Sequence, residues 1–257
     1  MKALAVLGLA LLLAGCAAEP LAFPTSGRVD YQLGGAWQPP DDVTIVARDR
    51  TDPPLEGVYS ICYVNGFQTQ PQEAGLWIDE HPDLLLRDAN GDPQIDPNWP
   101  DEMALDTSTA SSRDQLAGIL GEWIEGCADD GYQAVEFDNL DSYTRFDGLT
   151  LDGNVAFATL LVERVHELGM DAGQKNSAEL GTVGRDDVGF DFAVSEECFV
   201  FDECALYTEV YGEKVIDIEY DDTDLDGLCS YAALPEFTIV RDRNLTPGGG
   251  TFWSCDE

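Results

Sequence analysis

Eight apolar runs of strand length recur along the chain, and nothing else in it restricts the fold so strongly. They are Val29–Leu33, Val43–Ala47, Val58–Val64, Gln133–Asp138, Met170–Gln174, Phe190–Ser195, Lys214–Tyr220 and Phe237–Asp242. Helical patterns lie between the later ones. Arg113–Ala128 places Leu116, Ile119, Leu120, Trp123 and Ile124 at helical spacing, and Thr150 can cap a helix that runs to Leu168 and stops at Gly169. Shorter helices fit Asp202–Tyr211 and Leu225–Ala232. Strands alternating with helices give parallel pairing, and eight such units predict a (β/α)8 barrel, an α/β fold built as one domain over residues 29–257. The early half is less regular. The connector Asp49–Gly57 is too short for a crossover helix and contains Pro53-Pro54, whereas the connection after the third strand, about Asn65 to Ala110, is the longest in the chain.

The N-terminus reads as an address. Lys2 precedes an apolar run from Ala3 to Ala14, too short to span a bilayer as a mature helix. Leu13-Ala14-Gly15-Cys16 resembles a bacterial lipobox, which implies a signal peptide over residues 1–15, lipidation of the Cys16 thiol, and a tether over residues 16–28. An exported, membrane-anchored lipoprotein is expected, at the bacterial cell surface or in the periplasm. The remaining six cysteines suit an oxidising compartment. Cys198–Cys204 is favoured as a local loop staple and Cys229–Cys255 as a tie for the tail, which leaves Cys62–Cys127.

Charge narrows the partners. Fifty acidic residues stand against thirteen basic ones, for a formal net charge of -37. Such a surface repels nucleic acid and anionic headgroups, and it suits either salty surroundings that screen it or a cationic ligand. The two histidines, His81 and His166, supply neither a zinc site nor a Ser-His-Asp arrangement, and no cofactor is expected. Asp222-Thr223-Asp224-Leu225-Asp226-Gly227 matches the opening of an EF-hand loop, but position twelve is Ala233, not the bidentate glutamate, so no metal site is assigned. The chain is expected to act as a monomer.

Carboxylates gather where strands end. In Val135-Glu136-Phe137-Asp138-Asn139, alternation sets Ala134, Glu136 and Asp138 on one face, predicted to point into the barrel with Asp138 at the rim. Lys175 is the expected partner of Glu136, either within a working site or as a purely internal ion pair. In Phe190–Cys198 the same rule points Asp191, Ala193 and Ser195 inward, which favours Glu197 as the inward group, with Glu196 left open because strand ends break alternation. Active sites of such barrels lie at the carboxyl ends of the strands. Two carboxylates there are the equipment of a glycosidase, ~5–5.5 Å apart for retention and ~6.5–9.5 Å for inversion. Trp77 and Trp99, in the long loop after the third strand, either pack against sugar faces or anchor the loop.

Taken in order, these fragments resemble glycoside hydrolase family 114, the endo-α-1,4-polygalactosaminidases. The resemblance rests on Glu136-Phe137-Asp138-Asn139, Lys175-Asn176, Ser195-Glu196-Glu197-Cys198-Phe199 with Cys204, and Glu219-Tyr220. Tyr31-Gln32-Leu33, Ile61-Cys62-Tyr63, Trp99-Pro100 and Leu105-Asp106 extend it over about Val29 to Leu245. Phe137 and Ser195 depart from it, standing where the family has proline and asparagine. It implies a TIM barrel that hydrolyses α-linked galactosamine polymer, with Asp138 as nucleophile and Glu196 or Glu197 as acid/base. It also implies a cleft lined by Asp49, Tyr63, Asn139, Lys175, Asn176, Glu219 and Tyr220. Two rival readings keep the cleft and change its use: a polysaccharide-binding lipoprotein without catalysis, and a hydrolase of a different glycan.

Overall fold

The computed structural model describes residues 21–248 and 250–255. The segment expected to be a signal peptide and the expected lipidation site, Cys16, lie outside the described residues. Eight parallel strands follow one another around the sheet in chain order: β1 (Arg28–Gln32), β2 (Val43–Asp49), β3 (Tyr59–Asn65), β4 (Ala134–Asp138), β5 (Asp171–Lys175), β6 (Phe192–Glu196), β7 (Val215–Tyr220) and β8 (Phe237–Arg241). A ninth, β9 (Phe252–Trp253), adds antiparallel to β8. Arg241 on β8 closes the β8–β1 seam, donating to the Asp30 carboxylate at 2.5 Å and to the Tyr31 carbonyl. This is the expected barrel, and among the described residues four α-helices lie outside it: α1 (Ala110–Asp130), α2 (Leu151–Glu167), α3 (Cys204–Tyr211) and α4 (Leu225–Leu228). The first two crossovers carry no α-helix, and the β5–β6 crossover is built of a 3-10 turn (Ala178–Leu180) and a short π-helix (Gly184–Val188).

Local sequence sets the long helices. Thr109 and Thr150 accept the backbone N–H of Ser112 and Gly153, capping α1 and α2. Gly131, at φ 95°, ends α1 in the left-handed conformation that glycine adopts without cost. All three expected disulfides are present: Cys62–Cys127, Cys198–Cys204 and Cys229–Cys255. The first ties β3 to α1.

The barrel interior is apolar at the bottom and ionic at the top. Phe23, in the segment read as tether, plugs the lower end with its ring 5.3–5.7 Å from those of Tyr59, Phe192 and Phe237. Above it pack Ile45, Ile61, Ala134, Val194, Ile216 and Ile239. Gly173 on β5 is required here, because a Cβ would stand 2.5 Å from the Phe192 ring. Toward the carboxyl ends the same inward positions become Tyr31, Glu136 and Lys175, all buried.

Phe192, Val194, Ile216 and Ile218 fill the interior, so the alternation expected on β6 is inverted. Asp191, Ala193 and Ser195 face outward, where Asp191 contacts His166 on α2 and Ser195 donates to Asp217. Both faces of a barrel strand are buried, so hydrophobicity alone does not tell them apart.

Candidate active site

Lys175, at the end of β5, organises the mouth of the barrel. Its Nζ lies 3.4 Å from Oδ2 of Asp138 on β4 and 3.3 Å from Oε2 of Glu196 on β6. Two such contacts to one nitrogen hold those oxygens less than about 7 Å apart, the spacing of a glycosidase pair. Lys175 also donates to the Tyr31 hydroxyl at 3.2 Å, and that hydroxyl donates to Glu136. The ion pair expected between Glu136 and Lys175 therefore runs through Tyr31. Burial opposes the charge on Lys175, but Asp138, Glu196 and Glu136 overcome it and hold the ammonium well above its usual range.

Each carboxylate is further fixed. Asp138 accepts from the Tyr63 hydroxyl at 2.8 Å and from the Asn139 backbone N–H at 2.7 Å. Glu196 accepts from the Tyr220 hydroxyl and from Asn176 at 3.2 Å, while the Asn176 side-chain oxygen takes the Glu196 N–H at 2.8 Å. Burial raises the proton affinity of Glu196, but Lys175, Tyr220 and Asn176 outweigh it and keep the carboxyl below its ordinary range. Glu136, fully buried below, is pushed up to about 7 by desolvation. Asn139, Asn176 and Ser177 sit at φ 50–64°, backbone strain concentrated just past the ends of β4 and β5.

A cleft of about 660 Å³ opens above this cluster. Of the residues expected in it, Asp49, Tyr63, Trp99, Asp138, Asn139, Lys175, Asn176, Glu196, Glu197 and Tyr220 line it. Three do not. Trp77 is fully buried in the loop core, edge-on to Trp123 at 5.9 Å, where its ring area is removed from water although its Nε1 finds no hydrogen-bond partner. Glu219 points outward and accepts the Phe199 N–H at 2.8 Å, because β7 keeps Ile218 and Tyr220 inside. Glu136 lies beneath the floor and reaches the cleft only through Tyr31. The parity that favoured Glu197 also fails: Glu196 meets Lys175, and Glu197, at φ 59°, turns aside to pair with Arg243 at 2.8 Å. Arg243 also takes Asp222, the first residue of the EF-hand-like run, at 2.9 Å.

Several cleft residues carried no signal in the sequence. Asp96, Glu102 and Arg145 come from loops and meet only through folding: Arg145 binds Asp96 at 3.1 Å and Asn139 at 2.7 Å. Glu102 accepts from Asn65 at 3.1 Å and is raised to about 7, by burial and by the charges of Asp138 and Asp96. Its neighbours Trp99-Pro100, already part of the motif order, were the available pointer.

The chain has known relatives. A family model for glycoside-hydrolase family GH114 matches residues 12–257. No curated protein matches the sequence. Among solved structures, Ega3 of Aspergillus fumigatus in complex with galactosamine is similar at 22% identity and a TM-score of 0.70, over 93% of this chain and 100% of that one. The glycoside hydrolase domain of PelA from Pseudomonas aeruginosa is similar at 12% identity and a TM-score of 0.57, over 89% and 98%. These likenesses carry the barrel, and the family model, which covers nearly the whole sequence, carries the chemistry: the chain is a glycoside hydrolase and belongs to family GH114.

Proposed function

We infer that the protein is an endo-acting hydrolase of α-linked galactosamine polymer that works by double displacement. The observation that carries this is the single ammonium of Lys175 set between Asp138 and Glu196 at 3.4 and 3.3 Å. Asp138 attacks the anomeric carbon while Glu196 gives its proton to the departing glycosidic oxygen, leaving a glycosyl ester on Asp138. Glu196 then takes a proton from water, the water oxygen bonds to the anomeric carbon, and the ester bond breaks to restore Asp138. A gap under about 7 Å favours this retaining course, since most of the inverting range is wider.

The proton economy follows from charge. Free Glu196 is held ionised, and a sugar packed over it removes water and raises its proton affinity. Esterifying Asp138 removes a neighbouring negative charge, which favours the ionised base that the second step needs. The acidic coat and the cleft carboxylates Asp49, Asp96, Glu102 and Asp141 suit a cationic amino sugar. The galactosamine bound in the Aspergillus structure supports the same sugar.

Anchoring through Cys16, after removal of residues 1–15, is part of this reading and rests on the lipobox. Its check is the mass of the N-terminal peptide, expected to carry a diacylglyceryl group at Cys16. For the activity, the protein is incubated with defined α- and β-linked amino-sugar oligomers and the products are weighed. Shorter α-linked galactosamine oligomers are expected. Binding without new reducing ends would leave a binding lipoprotein, and cleavage confined to another glycan would overturn the substrate.

A further inference from the structure

A second pocket of about 670 Å³ adjoins the cleft and shares Asp141, Asn176, Glu196 and Glu197 with it, but not Asp138. The asymmetry gives direction. A sugar under attack must lie over Asp138, in the first pocket, and its leaving oxygen must lie at Glu196, on the boundary. The chain beyond that oxygen then enters the second pocket. Resting on the hydrolase reading above, we propose that this pocket is the leaving-group arm of the cleft, in which Phe201 supplies a sugar platform and the Ser177 hydroxyl a hydrogen bond to the departing amino-sugar segment.

Two independent features point to a ligand. Ser177 is 6% exposed and lines the pocket; its Oγ is turned away from solvent and has no hydrogen-bond partner, so a χ1 rotation that brings it to a ligand breaks no bond. A buried hydroxyl left unsatisfied costs free energy that a sugar hydroxyl or amine would recover. Phe201, by contrast, is 65% exposed although its loop is rigidly held. Cys198–Cys204 closes that loop, Asp217 takes the Cys198 N–H at 3.3 Å, Glu219 takes the Phe199 N–H, and Tyr231 binds Asp202 at 2.7 Å. A ring that is both exposed and pre-positioned binds at low entropic cost. Glu179 and Glu203 in the same pocket match a cationic chain. The outward Asp217 and Glu219 thereby gain a purpose: they are positioning residues for this wall.

The test compares Phe201→Ala and Ser177→Ala with wild type on oligomers of increasing length and on an aryl glycoside, which lacks sugar on the leaving side. Both variants are expected to raise KM for the oligomers about fivefold. The oligomer-to-aryl ratio of kcat/KM falls by a similar factor, and the cleavage position shifts along the chain. Ser177→Ala should melt no lower than wild type, because the hydroxyl it removes is unpaired, so a merely structural role would leave KM unmoved. Unchanged KM and cleavage pattern in both variants, or equal losses on oligomer and aryl glycoside, overturns the proposal. The assay runs on whichever glycan the wild type cuts, so a wrong sugar is distinguishable from a wrong arm. A protein that neither cuts nor binds any oligomer sinks both readings.

Discussion

Replacing Lys175 with methionine tests the electrostatic design of the site. Lys175 is 2% exposed, and among the described residues no other cation forms an ion pair with Asp138 or Glu196. The variant leaves three acids, Glu136, Asp138 and Glu196, crowded around an apolar side chain. Removing one partner of a buried pair costs ~3–5 kcal/mol. Asp138 and Glu196 retain 19% and 29% side-chain exposure, so the lower end applies. A loss of about 3 kcal/mol lowers the melting temperature by about 6–12 °C in a protein of this size.

The pH dependence carries the sharper sign. In wild type, Glu196 has a depressed folded pKa, so its contribution is present above the ordinary carboxyl range and is lost as pH falls. In the variant the crowded carboxyls bind protons more tightly folded than unfolded, so its stability falls as pH rises. The melting gap between the two proteins is therefore widest near pH 8 and nearly closed near pH 4. Thermal denaturation by circular dichroism across that range reads it directly. A gap that is constant with pH, or absent at pH 8, would refute the assignment of Lys175 as the shared counter-ion.

Other substitutions separate the roles of neighbours. Glu196→Gln is expected to lower kcat by about 10²–10⁴-fold, the usual worth of a general acid/base, whereas Glu197→Gln stays within tenfold because it loses only a rim pair with Arg243; steady-state kinetics decides. Trp77→Ala should cost about 3–5 kcal/mol in denaturant unfolding, and Trp99→Ala, at a residue 63% exposed over the cleft, should raise KM with little change in melting. Glu102, raised to about 7, gains its charge as pH rises through that value, so KM for a cationic oligomer should fall over the same interval, and Glu102→Gln should shrink the step to what Glu136, also raised to about 7, contributes.

The fold was written in the chain with few ambiguities. Eight runs became eight strands in order, Thr150 caps its helix and Gly169 follows its end, and the three cysteine pairs favoured among fifteen possible connectivities are the ones that form. The inward carboxylates on β4 were legible because Glu136 and Asp138 alternate with Val135 and Phe137, leaving one arrangement that keeps the helix-facing side apolar. On β6 the rule misled. Phe192 and Val194 fill the barrel, while the outer face accommodates a polar pair, Ser195 with Asp217, sealed beneath the loop before α3. Period-two patterning identifies two faces but not which one is inside when both are dry. Trp77 and Glu219 were misplaced for a related reason: composition places an indole or a carboxylate near a site without giving its direction. Asp96, Glu102 and Arg145 had no readable spacing, since loop conformation alone brings them together.

The most direct measurement is the rate of reducing-end release from α-linked galactosamine oligomer by wild type and by Asp138→Asn, with melting temperature recorded for both. A wild type that cleaves and a variant that loses about 10³-fold or more while remaining folded is the predicted pair of results. Undiminished release by folded Asp138→Asn would contradict the account, because no bond could then be forming between the sugar and that carboxylate.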